Sequence, residues 1–164
     1  VSAAAEPGKR MRRFLKYWLP LLVWLVVIFI DSTDLMSAEH TSRFIVPFLR
    51  WLKPDISPEA LSSIHFMIRK FAHLSEYAIL ALLLLRVSLR VTNFKNKAIL
   101  YASVWGGCFI VAVSDEFHQT FVASRSASIV DVMIDSAGAT VGLVVGAVLA
   151  RMRSTQLRKA RAGS

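Results

Sequence analysis

The chain has 164 residues, 55% of them hydrophobic, and a formal net charge of +9. Its mean hydropathy of +0.51 is too apolar for an ordinary soluble domain of this size. The charge does not call for nucleic acid, because Lys and Arg gather at the ends of apolar segments.

Taken in order, the chain opens on a solvated stretch, "VSAAAEPG", and a basic group of Lys9, Arg10, Arg12, Arg13 and Lys16. The first span candidate follows, at about 14–30. Basic residues before an apolar run also have the order of a secretory signal. The run is long for one, and "DSTDLMSAEH" after it offers only a weak cleavage site, so an uncleaved helix is expected. The next segment, 31–70, is the longest connection. Within it, "RFIVPFLRWLK" alternates apolar and basic residues, which suits a short helix in the membrane interface with Trp51 at headgroup depth and Pro47 weakening its continuity. In "SPEALSSIHFMIRK", Ser57 is expected as N-cap, Pro58 at the first helical position and Glu59 in the first turn, the helix running on into the second span.

The remaining span candidates lie at about 72–89, 98–113 and 129–150. A bilayer core needs about 20 apolar residues, with a range of roughly 17–25. The first and third candidates therefore borrow flanking residues. A buried soluble helix is the plainer alternative for any one of them alone, and four in succession exclude it. Arg86, Arg90, Lys95 and Lys97 separate the second and third, and Arg151, Arg153, Arg158, Lys159 and Arg161 follow the fourth. With four crossings, all three basic groups fall on one side, the cytoplasmic one. The expected organisation is an all-α membrane bundle of four helices over 14–150, with cytoplasmic basic tails at 1–13 and 151–164. Cys108, inside the third span, supplies neither an intrachain disulfide nor a metal motif.

Helical spacing sorts the polar residues. His73, Glu76 and Tyr77 share a face with Leu80 and Leu84. Asp115 and Gln119 share one with Cys108 and Ala112, while Glu116 points about 100° away. Asp131, Asp135, Gly138, Gly142 and Gly146 fall within an arc of about 80°, so the acids point with the glycines into a helix contact. That contact is packing within the bundle or homo-oligomerisation through the last span. Under this topology three helices deliver ionisable groups to the outer third of the membrane, and Arg125 comes from the loop between two of them. Such groups at membrane depth cost several kcal/mol unless paired or hydrated, and mark functional sites by default.

Each residue also has a plainer role. His73 alone could be a hydrogen-bonded interface histidine, Asp131 an anion in the first turn of its helix, and Arg125 a partner for Glu116. For the set, several chemistries stay open. His73, Glu76, Asp115 and Glu116 could handle protons on an envelope substrate. Lys70, Tyr77, Gln119, Arg125, Asp131 and Asp135 would then contact that substrate. A divalent metal, for which no dedicated motif is present, would be held by His73, Glu76 and Asp115. A proton or cation pathway and a purely structural polar network complete the choices. No cofactor is required by the sequence.

The ordered motifs "RKFAHLSEYAILALLLLR", "SDEFHQTF", Arg125 and "DVMIDSAGATVG" resemble the VanZ-like family. The matching positions are Lys70, His73, Glu76, Tyr77, Asp115, Glu116, Gln119, Arg125, Asp131, Gly138 and Gly142. The resemblance implies a small multi-spanning protein of the bacterial cytoplasmic membrane, from a family whose named member is associated with teicoplanin resistance. Asp135 stands where the family often has Asn, adding a negative charge. Ala123 and Ser124 stand where it often has Pro-Gly, which alters only loop geometry. The partner expected is an anionic, lipid-linked envelope or peptidoglycan precursor, held by Arg125 and Lys70.

Overall fold

The computed structural model describes residues 7–33, 38–92, 94–122 and 127–162. Over them the chain forms five helices: α1 Pro7–Asp31, α2 Ala38–Leu52, α3 Pro58–Val91, α4 Lys97–Gln119 and α5 Ile129–Ala162. No strand occurs among the described residues.

Local signals set several of the boundaries. Ser57 Oγ accepts the Ala60 N–H at 3.2 Å, with Pro58 and Glu59 in the first turn, and α3 then runs unbroken for 34 residues. Asn96 caps α4 by accepting the Ala98 N–H at 2.8 Å. Several helices depart from their sequence-based description, and α4 runs on to Gln119. α2 is continuous through Pro47, the residue expected to weaken it. α1 starts at Pro7, and α5 carries on through the basic region to Ala162. The last extension has a simple cause: Arg, Met, Gln, Leu, Lys and Ala are good helix formers, and nothing in "RMRSTQLRKARA" breaks the ladder.

Among the described residues three helices are long and apolar enough to cross a membrane: Met11–Asp31, Lys97–Gln119 and Ile129–Ala160. α3, which contains the span expected at 72–89, is not one of these. It is instead the middle of the bundle, packed against each of the other four helices. Its buried residues, among them His73, Tyr77, Leu80, Ala81 and Leu85, follow a helical stripe. Large apolar side chains outside the bundle stay exposed, including Leu22, Val26 and Phe29 of α1, Ile110 and Phe117 of α4, and Val144 and Val148 of α5. A surface of this kind is far more apolar than a soluble monomer tolerates and suits hydrocarbon.

The α3–α5 contact is the most extensive in the molecule. It is a backbone contact. A Cβ on Gly138 would lie 3.0 Å from Leu74 Cα and still closer to its carbonyl oxygen; one on Gly142 would lie 2.9 Å from Ala78 Cα, again closer to the oxygen. Only glycine fits both positions. The pairs Leu74–Gly138 and Ala78–Gly142 advance together, so α3 and α5 run parallel. α4 runs antiparallel to α5, which it meets through the short connection after Gln119. α1 is antiparallel to α3: its Trp24 meets Glu76, while Lys16 near its start meets Arg86 near the end of α3.

Gly142→Ala should therefore overpack the α3–α5 contact and cost about 1–3 kcal/mol. Gly106→Ala, where a new Cβ meets nothing within 4 Å, should be neutral or slightly stabilising. Thermal unfolding of both variants in one detergent checks this, the expected result being a lowered midpoint for Gly142→Ala alone.

Candidate functional site

One end of the bundle collects the polar side chains. α4 approaches it with its last turns, α5 leaves it with its first, and α3 passes through it one helical turn before the glycine contact. The register set by the glycines brings Lys70 opposite Asp131 and His73 opposite Asp135.

The burial is deep. His73 is 3% exposed, Asp135 0%, Gln119 1% and Tyr77 0%, and Asp115, Glu116 and Asp131 are also buried. The faces expected from spacing are observed: Cys108, Ala112, Asp115 and Gln119 line the inner side of α4, and Asp131, Asp135, Gly138 and Gly142 the inner side of α5. Glu116, expected about 100° away from Asp115, is buried too, because its carboxylate turns to the start of α5. There Glu116 Oε2 accepts the Ser128 N–H at 2.7 Å. That bond satisfies a backbone donor just before the first turn of α5 and ties the α4–α5 connection to α4.

Lys70 forms an ion pair with Asp131, and its ammonium also lies 5.0 Å from the centre of the Phe66 ring. Its charge is thus matched within the protein. Gln119 Nε2 donates to Asp115 Oδ2 at 3.2 Å. Glu76 is half-buried: its backbone carbonyl accepts the Trp24 Nε1–H at 2.9 Å, and its carboxyl lies in electrostatic range of Asp31, His73, Asp115 and Asp135. Arg125, with Ala123 and Ser124, falls outside the described residues.

At the centre, His73 Nδ1 stands 3.2 Å from Asp135 Oδ1, yet the two are not aligned as a hydrogen bond. Both Asp135 oxygens, His73 Nδ1, Tyr77 Oη and Glu116 Oε1 are buried without a hydrogen-bond partner. His73, Asp115 and Asp135 each turn one ligand atom toward the others, all within 4.8 Å. This group differs from the metal ligands expected from sequence, with Asp135 in the place given to Glu76. Asp135 faces His73 directly across the glycine contact, whereas Glu76 meets α1 through its backbone carbonyl.

Sequence reasoning missed Ser32. It is 1% exposed, its hydroxyl is 3.1 Å from His118 Nδ1, and it also reaches the Asp115 carboxylate. A small polar residue just after an apolar run was the only signal. At the other end of the molecule, a groove of about 1140 Å³ is lined by Arg12, Arg13, Lys16, Tyr17 and Arg90. The Tyr17 ring lies 5.8 Å from Lys16 Nζ, 5.4 Å from the Arg86 guanidinium and 5.7 Å from that of Arg90. The carboxylate cluster and this basic groove therefore lie at opposite ends of the bundle.

An all-helical bundle with a lipid-compatible exterior and carboxylates and imidazole buried among its helices defines a class, the integral membrane proteins with an internal polar cluster. The VanZ/LLP1 family model matches residues 17–150, and the chain belongs to that family. No curated protein and no solved structure shows a significant match.

The Lys70–Asp131 pair invites a double-mutant cycle. Lys70→Met and Asp131→Asn should each destabilise the protein, and the double variant should be less destabilised than their sum, with a coupling of about 0.5–3 kcal/mol. Chemical unfolding of the four forms in one detergent gives that number; a coupling of zero would show that the pair carries no net interaction.

Proposed function

We propose that the chain is a four-span protein of the bacterial cytoplasmic membrane whose outer-end polar cluster binds or modifies the anionic head group of a lipid-linked cell-envelope molecule. The observation that carries this reading is the burial of His73, Asp115, Glu116, Asp131 and Asp135 from three helices at one end of the bundle. Ionisable groups are expensive there unless paired or hydrated, and mark functional sites by default. In this reading α3 is the fourth span: at about 1.5 Å per residue its 34 residues reach well across a bilayer. The basic end, with both termini, faces the cytoplasm, in keeping with the concentration of Lys and Arg on that side.

The roles follow from chemistry and access. His73, Glu76, Asp115 and Glu116 hold or move protons, and Tyr77, Gln119, Asp131 and Asp135 shape the cluster. Lys70, whose side chain is 20% exposed, exchanges Asp131 for a phosphate when the head group enters. Arg125 completes the grip, since a guanidinium holds a phosphate bidentately. α2 lies in the interface and leads lipids laterally toward α3, which it contacts; its Phe48, Trp51 and Leu52 are strongly exposed. The teicoplanin association of the family is read as a consequence of acting on a wall precursor. Self-association through α5 would use a face other than that of Gly138 and Gly142, which α3 of the same chain occupies.

Two experiments test this. In a Cys108→Ala background, Lys95→Cys and Ala127→Cys should label from opposite sides of the membrane, Lys95→Cys from the cytoplasm; labelling from one side would overturn the four-span arrangement. Native mass spectrometry should find a phosphate-bearing lipid enriched on the wild-type protein and lost from folded Arg125→Ala. Equal lipid profiles would overturn the substrate reading.

A further inference from the structure

The central trio leaves a charge problem that the substrate reading does not solve. Asp135 is 0% exposed, and neither of its carboxylate oxygens has a hydrogen-bond partner. His73 Nδ1, 3.2 Å away, is unpartnered as well, and so is Tyr77 Oη one turn further along α3. A buried carboxylate without compensation costs several kcal/mol. A proton shared between Oδ1 and His73 Nδ1 would ease only that contact, because Asp135 Oδ2 and Tyr77 Oη would still have nothing to bond.

We infer that His73 Nδ1, Asp115 and Asp135 bind a first-row divalent cation between α3, α4 and α5. The distances fit. Ligand atoms about 2.0–2.2 Å from a metal stand roughly 2.9 Å apart at a right angle and roughly 3.4 Å at the tetrahedral angle. The His73–Asp135 separation of 3.2 Å falls between these values, and Asp115 brings its own oxygen within 4.8 Å of both partners. Gln119 donates to Asp115 Oδ2 and so fixes the orientation of that carboxylate. A neutral imidazole and two carboxylates carry the charge that one divalent ion cancels, so the loaded site is neutral, as a low-dielectric interior requires. The donor set of one nitrogen and two oxygens suits Zn²⁺ and Mn²⁺. Three protein ligands leave a position open, and a water there would give Tyr77 Oη, which lies in electrostatic range of Asp115 and Asp135, its missing partner.

This inference rests on coordination geometry and holds whatever the substrate is. The full chain, purified in detergent and stripped with a chelator, is titrated with ZnCl₂ and with MnCl₂ by calorimetry, and metal content is measured after dialysis. The expected result is close to one equivalent of Zn²⁺ or Mn²⁺ per chain, and a higher melting temperature when it is loaded. Asp135→Asn and His73→Ala should weaken binding more than tenfold, Gln119→Leu by roughly 10–100-fold, and His65→Ala, two turns earlier on α3, should leave it unchanged. Where a ligand variant does not fold, titration and melting of the stripped wild-type protein carry the test. No binding of either ion by the stripped wild type at millimolar concentration, or undiminished binding by a folded Asp135→Asn variant, would overturn the inference. Metal bound without lipid enrichment would support it and count against the substrate reading alone.

Discussion

The backbone contact between α3 and α5 is the constraint on which the rest of this molecule depends. Without side chains at Gly138 and Gly142, the two helices meet closely enough that the Leu74 and Ala78 backbone packs directly against that of α5. In a membrane there is little hydrophobic drive to bring helices together, so close packing and polar contacts must supply the association. Because the helices run parallel, the register fixed by the glycines carries outward: one turn on, Asp135 faces His73, and beyond it Asp131 faces Lys70. The polar cluster is thus positioned by residues that have no polar chemistry of their own.

α4 and α1 close the arrangement from the other sides. α4 contributes Asp115 and Gln119 on one stripe, and Glu116 fastens the start of α5 through Ser128. α1 covers the flank: Trp24 bonds the Glu76 carbonyl, and Ser32 reaches both His118 and Asp115. Removing water from these groups makes each polar partner count for more, since an unmatched donor or acceptor has nothing else to turn to. Several polar atoms nonetheless lack partners, and they concentrate where His73, Tyr77 and Asp135 meet. Unmet bonding capacity at the centre and matched pairs at the edge are what support the proposal that the cluster binds a ligand.

Much of this was legible in the sequence because helical spacing is a strict rule. The inner faces of α4 and α5, and that of α3 apart from Glu76 and Leu84, could be written down from positions alone, and the ordered motifs pointed to the family to which the chain belongs. What spacing cannot give is the relation between helices. That Lys70 pairs with Asp131, and that Asp135 rather than Glu76 joins His73 and Asp115, depends on how far α5 slides along α3 and on which side of α3 Glu76 lies. Ser32 was hidden for the same reason, its partners being some eighty residues away. α2 shows a different limit: Pro47 costs a hydrogen bond and a steric adjustment, but the surrounding turns carry the helix past it.

Cross-linking across the α3–α5 contact is the most direct test of this account. In a Cys108→Ala background, the double variant His73→Cys/Asp135→Cys is treated with a mild oxidant in native membranes. The register predicts a rapid intrachain disulfide in that pair and little in Glu76→Cys/Asp135→Cys, where the α3 position faces α1. A cross-link that forms in the second pair and not in the first would contradict the register, and with it the convergence of His73, Asp115 and Asp135.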